Sequence, residues 1–210
     1  MSRYTGPACR HCRREGEKLF LKGIRCYTDK CAIGRRAKSM APGQHGATMK
    51  KQKEYGTQLR EKQKAKRIYG LHETQFKNLF RKAEKLDGMA GVNLLILLER
   101  RLDNVVYKMG MAESRRESRQ LVNHGHFTVN GKRADIPSMT LKQGDVVALS
   151  ERSRSLEKIK DLIANLDNRQ QVRWLEMDKT NISAKIIAIP TREDIEFPFK
   201  EHLIVELYSK

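Results

Sequence analysis

The chain has 210 residues, with 43 Lys and Arg against 25 Asp and Glu, a formal net charge of +18. A surface that positive repels itself unless a polyanion neutralises it, and nucleic acid is the commonest one because each phosphate contact releases condensed counterions. The longest apolar run, Leu94 to Leu98, falls far short of the roughly 20 residues that span a bilayer. The first seven residues lack the apolar core of a signal peptide, so no membrane partner and a cytoplasmic location are expected. The charge is unevenly spread: residues 1–86 carry +16, residues 87–150 carry +2, and residues 151–210 are neutral.

Residues 1–45 are rich in Cys, Gly, Arg and Lys and too poor in large apolar side chains to build a core, so something else must order them. All four cysteines lie here, as Cys9-x2-Cys12-x13-Cys26-x4-Cys31. Two close pairs across a short loop suit tetrahedral zinc, with four thiolates and no open position, which makes one structural ion the expected cofactor. The flanking Arg10, Arg13, Arg14, Arg25 and Lys30 are expected to favour the thiolates. Two disulfides, four free thiols or an iron–sulfur cluster are the other readings, and His11 is an alternative ligand.

Residues 46–56 read as a basic linker and 57–68 as a strongly basic helix. An amphipathic helix is expected over 72–86, with Phe76, Leu79, Phe80, Ala83 and Leu86 at steps of three and four. A single helix is expected over 92–109, with Leu94, Leu95, Leu98, Leu102, Val105, Val106 and Met109 as its stripe. Ser114 opens the next helix with Glu117 at the capping-box spacing, and Gly125 stands where a left-handed stop belongs. The period then becomes two through Phe127 and Val129, and Asn130-Gly131 is a strong hairpin signal. Short strands are expected over 145–149, 171–177 and 182–189, and a helix over 155–166. Residues 203–208 fit helix or strand.

The expected fold is therefore α+β. Its N-terminal half is mostly helical with a zinc-tied segment, and a small α/β RNA-binding module with short antiparallel strands follows. Four segments are read: 1–45 (zinc and basic), 46–90 (basic linker and helices), 91–150 (the module) and 151–210 (a C-terminal helix and strands completing the body).

Arg115 and Arg119 share a helix face, with Arg116 beside them. Positive charge in a first turn opposes the helix dipole, which is better tolerated if phosphates are the partners. The bland reading is a solvated face. With aromatics at 6%, stacking on single strands is disfavoured against shape recognition through phosphates. The candidate RNA contacts are Arg13, Arg14, Arg35, Arg36, His45, Lys50, Lys62, Lys66, Arg67, Ser114, Arg115, Arg116, Arg119, His124, His126 and Lys132.

Glu99-Arg-Arg-Leu-Asp-Asn-Val-Val-Tyr107, Ser114-Arg115, Arg119-Gln-Leu-Val-Asn-His-Gly-His126, Val129-Asn-Gly131, Ile136-Pro-Ser138 and Gly144-Asp145 together resemble the S-four RNA-binding domain. Further motifs widen the likeness. They are Tyr4-Thr-Gly-Pro-x-Cys-Arg-x-Cys-Arg-Arg-Glu-Gly16, Pro42-Gly-Gln-His-Gly46, Tyr55-Gly-x-Gln-Leu-Arg-Glu-Lys-Gln-Lys64, Gln75-Phe76 and Arg192-Glu-Asp194. With these the chain resembles the bacterial small-subunit ribosomal protein four family, in its zinc-containing branch, over essentially its whole length. The resemblance implies a non-enzymatic, primary binder of 16S-type ribosomal RNA in the cytoplasmic ribosome. It also implies the fifth small-subunit protein as neighbour, an influence on decoding accuracy, a place near the messenger entry channel and, in some members, repression of their own messenger RNA. The competing readings are an RNA-modifying enzyme, for which Asp103 superficially imitates a nucleophile, and a zinc-containing nucleic-acid-binding regulator.

Overall fold

The computed structural model describes residues 4–35, 40–47, 53–164 and 172–209. Contacts divide the chain into two compact units, Met1–Val92 with Pro198–Lys210, and Asn93–Phe197.

The first unit begins with a short helix, α1 (Cys9–Glu15), and a 3₁₀ turn, Gly23–Cys26. Gly16 closes α1 in the left-handed conformation (φ 77°), with its N–H donated to the Cys12 carbonyl. The apolar complement here is small: Ala8, Leu19 and Leu21 are its buried aliphatics. The larger part of the unit packs α2 (Glu54–Ile68) against the C-terminal helix α8 (Glu201–Tyr208), with α3 (Glu73–Ala83) completing the cluster. Phe76 and Phe80 are buried, and both stack on Tyr208, at 6.4 and 4.5 Å between centroids. Residues 203–208 are thus helical. Helix α3 stops at Ala83, three residues before Leu86, which is 48% exposed rather than on the apolar stripe.

The second unit is a five-stranded antiparallel sheet with helices. The strands are β1 (Phe127–Val129), β2 (Lys132–Ala134), β3 (Val146–Leu149), β4 (Leu175–Asp178) and β5 (Ser183–Ile186). Their order is β2-β1-β3-β5-β4. Asn130 and Gly131 take positive φ (50° and 79°), the paired left-handed turn that suits a two-residue hairpin, and Val129 faces Lys132 across it. The Asn130 side chain donates to Asp145 and accepts from the Val146 N–H, both at 2.9 Å, so this turn is tied to the one before β3. The core gathers Leu102, Val105, Val106, Met111, Val122, Phe127, Leu141, Val147, Trp174 and their neighbours.

The expected single helix over 92–109 is two: α4 (Ala90–Glu99) and α5 (Leu102–Lys108). Arg101 is extended (ψ 139°) and forms a bridge with Thr140. Around it the Leu102 N–H donates to the Met139 carbonyl (2.9 Å), the Leu141 N–H to the Arg100 carbonyl (2.9 Å), and the Arg100 side chain to the Leu141 carbonyl (2.8 Å). A remote loop takes the hydrogen bonds a continuous helix would have kept. The remaining helices are α6 (Arg115–Asn123) and α7 (Glu157–Ala164). The expected strand over 171–177 begins at Leu175, with residue 171 outside the described residues.

Candidate nucleic-acid interface

Helix α6 carries the arginine cluster, and its sequence explains its start. The Ser114 hydroxyl accepts from the Glu117 N–H at 3.4 Å, and the Glu117 carboxylate returns to the Glu113 N–H at 2.7 Å. One first-turn donor and the N–H just before the cap are thereby satisfied. At the other end the Gly125 N–H donates to Val122 O and the His126 N–H to Leu121 O, at 2.8 and 3.2 Å. This is a Schellman stop with glycine at its left-handed position (φ 74°).

The arginines do not lie on a solvated face. Arg115 Nε donates to Asn104 Oδ1 at 2.8 Å, and its guanidinium sits 4.5 Å from the Tyr107 ring centroid and 5.7 Å from that of Phe197. Arg119 reaches Asp103 Oδ2 at 3.1 Å. Asp103 is buried and also takes both arms of Arg101, at 3.0 and 2.7 Å, and Arg101 is itself only 3% exposed. The Ser118 hydroxyl donates to the Asp103 carbonyl at 2.6 Å, and Asn104 Nδ2 donates to the buried Glu99 carboxylate at 2.7 Å. Two guanidiniums share one carboxylate, so this cluster keeps a net positive charge within a desolvated setting. The same contacts dispose of the nucleophile reading of Asp103: its carboxylate is buried and bound by two arginines. Sequence reasoning missed Arg101, Asn104 and Glu99; Arg101-Leu-Asp103 was their one local signal.

In the first unit the candidate cations of α2 are engaged by acids. Lys62 and Lys66 both bind Glu73, at 2.6 and 2.8 Å, and Lys64 binds Glu17 at 2.8 Å. Arg67 and Arg60 both reach Glu15, whose side chain is 3% exposed. Burial works against ionisation of Glu73, but hydrogen bonds from Lys62 and Lys66 outweigh it and hold this carboxyl down at about 2. Arg14, Arg35, His45, His124 and Lys132 are exposed, and Arg13, Ser114, Arg116 and His126 are partly so. Arg36 and Lys50 lie outside the described residues.

The cysteines form no disulfide; Cys12, Cys26 and Cys31 are buried and Cys9 is half-buried. Cys9, Cys26 and Cys31 each act on Cys12 through space. Backbone N–H groups serve the sulfurs: Leu19 at Cys12, Lys22 and Leu21 at Cys26, and Gly34 and Ile33 at Cys31. The Lys22 N–H lies 3.4 Å from Cys26 Sγ. Burial pushes the Cys12 and Cys26 thiols up, against the expectation that neighbouring cations would favour their thiolates. At Cys31 burial is overcome by Gly34 and Ile33 and by Lys18 and Arg25, and the thiol is lowered. Among the described residues no three His, Cys, Asp or Glu side chains converge at metal-binding spacing. The segment brings four thiols near one another without closing a ligand set. The His11 ring rests on Tyr4, 4.2 Å between centroids.

Among the described residues no helix is long and apolar enough to cross a membrane. Residues 3–99 match the family model described as Ribosomal protein S4/S9 N-terminal domain, and residues 100–147 match the S4 domain. Relatives named "Small ribosomal subunit protein uS4" align over their whole length and the whole of this chain. They include those of Clostridioides difficile at 61% identity, Acetivibrio thermocellus at 60% and Caldicellulosiruptor bescii at 59%.

Proposed function

Since this chain belongs to the family of small ribosomal subunit protein uS4, we propose that it is a structural, non-enzymatic constituent of the cytoplasmic small subunit that binds small-subunit ribosomal RNA and neighbouring ribosomal proteins. The single observation that carries this reading is the end-to-end similarity to proteins of that name. The chemistry agrees with it: a +18 chain with few aromatics suits recognition of a folded RNA's shape through its phosphates. Residues 1–86, with +16, supply most of the attraction. The discriminating experiment compares affinity for a 16S-type RNA fragment with that for duplex DNA of equal length. A strong RNA preference is expected, with a steep salt dependence of about 0.7 to 0.9 in the logarithmic slope per phosphate contact. Equal affinities would sink the reading in favour of a general nucleic-acid binder.

Two finer readings go with it. The resemblance extends to primary assembly on the RNA, contact with the fifth small-subunit protein, a role in decoding accuracy and repression of its own messenger RNA. The second is one structural zinc held by Cys9, Cys12, Cys26 and Cys31. Four thiols in a segment with few buried aliphatics, and backbone N–H groups already directed at three of the sulfurs, support it. When bound, the ion would supply a fold-tying cross-link, because metal binding and local folding then share one free energy. Elemental analysis of chelator-free protein is expected to find one zinc per chain. No metal, or stoichiometric iron, would exclude it. Cys→Ser at Cys9 or Cys26 is expected to loosen the first 45 residues and spare the sheet unit.

A further inference from the structure

The turn that ends α6 sets two imidazoles on either side of Gly125. The rings of His124 and His126 are 6.0 Å apart. His124 caps the helix C-terminus and is exposed, while His126 begins the run into β1. Alternation puts His126 and Thr128 on one sheet face, opposite the buried Phe127. Arg133 of β2 pairs with Thr128 in the ladder and so shares that face. Its guanidinium lies across the glycine: a Cβ at Gly125 would come within 2.7 Å of three of its atoms. Three nitrogen-bearing side chains thus meet over one stretch of backbone that has no side chain of its own.

Among the described residues no acid balances them. Arg133 makes no ion pair among the described residues, in contrast with the lysines of α2. The charged groups that act on His126 are His124 and Arg133, both basic. Glu151 and Arg152, on the turn carrying Ser153, are exposed. The Ser153 hydroxyl sits 2.9 Å from His126 Nδ1 and fixes the ring. Arg133, always charged, disfavours protonation of the His126 imidazole until an anion arrives, and an arriving phosphate reverses that balance.

We infer that His124, His126 and Arg133 form a subsite for an RNA backbone phosphate, and that filling it draws a proton onto the His126 imidazole. The inference rests on the RNA-binding reading above and adds to it a named contact and a pH dependence. Burial, then His124 and Arg133, holds the His126 imidazole below its ordinary value in the free protein, so a phosphate that relieves this makes binding take up a proton there. Affinity for RNA therefore rises as pH falls, in step with that proton uptake.

The test uses the full chain and a 16S-type RNA fragment at fixed salt, between pH 8 and pH 6. The wild type is expected to gain about three- to tenfold in affinity over that range, and the His124→Gln, His126→Gln double variant to change by less than about twofold. Arg133→Gln is expected to weaken binding throughout. Histidine proton resonances of the wild type, titrated with and without RNA, give a readout independent of the variants: the His126 imidazole should titrate at higher pH when RNA is bound. A wild type that prefers this RNA but shows no pH gain, or a folded double variant that keeps it, overturns the subsite and leaves the RNA-binding reading standing. A wild type that prefers no RNA at either pH overturns the reading itself.

Discussion

On α2 of the first unit, Lys62, Lys64, Lys66 and Arg67 each meet a glutamate, and on α6 of the second, Arg119 meets a carboxylate already shared with Arg101. At the turn after α6, Arg133 and two histidines meet no acid among the described residues. The first unit holds most of the net charge, yet the cations of its α2 are engaged by glutamates of the same unit. The second holds less, and leaves an unbalanced cluster at a fixed corner. Net charge therefore identifies the class of partner, whereas the contact surface is set by which cations the fold has left without a carboxylate. Four variants break or sharpen that contrast.

The largest effect is expected at Asp103. Asp103→Ala strands Arg101, which is only 3% exposed, and releases Arg119. Removing one partner of a buried ion pair costs about 3–5 kcal/mol, because the remaining charge stays desolvated. Denaturant unfolding of the sheet unit, in the absence of RNA, measures it. A loss below about 1 kcal/mol would mean that these arginines are hydrated, and would erase the distinction between bound and unbound cations in this unit.

How legible this was in the sequence depends on how local the cause is. Ser114, Glu117, Gly125 and Asn130-Gly131 act through their own neighbours, and the cap, the stop and the hairpin stand where the sequence puts them. The break at Arg101 was not legible. Leu98, Leu102, Val105, Val106 and Met109 keep helical spacing through it, and the competing hydrogen bonds come from residues 137 to 141. The stretch 203–208 was undecided from its own residues, since its apolar side chains suit either structure; packing against α2 and the ring contacts of Tyr208 settle it as helix. The candidate contacts Lys62, Lys66 and Arg67 were read as cations alone. Their partners Glu15 and Glu73 lie on other elements and carry no local mark.

The next effect is intermediate. From sequence, replacing Arg115 and Arg119 is expected to leave stability nearly unchanged, as for surface residues. The structure reverses this. Arg115 is held by Asn104 and by the Tyr107 ring, and Arg119 by Asp103. Arg115→Gln and Arg119→Gln are each expected to cost about 1–2 kcal/mol, from one charge-assisted hydrogen bond and, for Arg115, a cation–π contact. Thermal melts at low and high salt test it. Unchanged melting in both variants would return these side chains to the pool of free cations.

The smallest effect concerns Glu73, and it carries a sign that pH reveals. Its carboxyl is held at about 2, below its ordinary 4.5, by hydrogen bonds from Lys62 and Lys66 that outweigh burial. A carboxyl depressed in the folded state contributes stability that is fully present above the unfolded value. That contribution is lost as pH falls from about 4.5 towards 2. Half of the Glu73 side chain is close to water (45% exposed), so screening keeps the contribution under about 1 kcal/mol. Tyr208 reports on the same site: its hydroxyl donates to Glu73 at 3.1 Å, and burial together with that carboxylate pushes its ionisation up. Glu73→Gln should therefore melt slightly below the wild type at pH 7, and the gap should shrink as pH falls below about 4.5 and close towards about 2. The Tyr208 absorbance titration should shift downward in the variant. A gap that persists undiminished at pH 3 would show that Glu73 acts through packing and not through its charge, and the contrast between neutralised and unneutralised cations would lose its clearest example in the first unit.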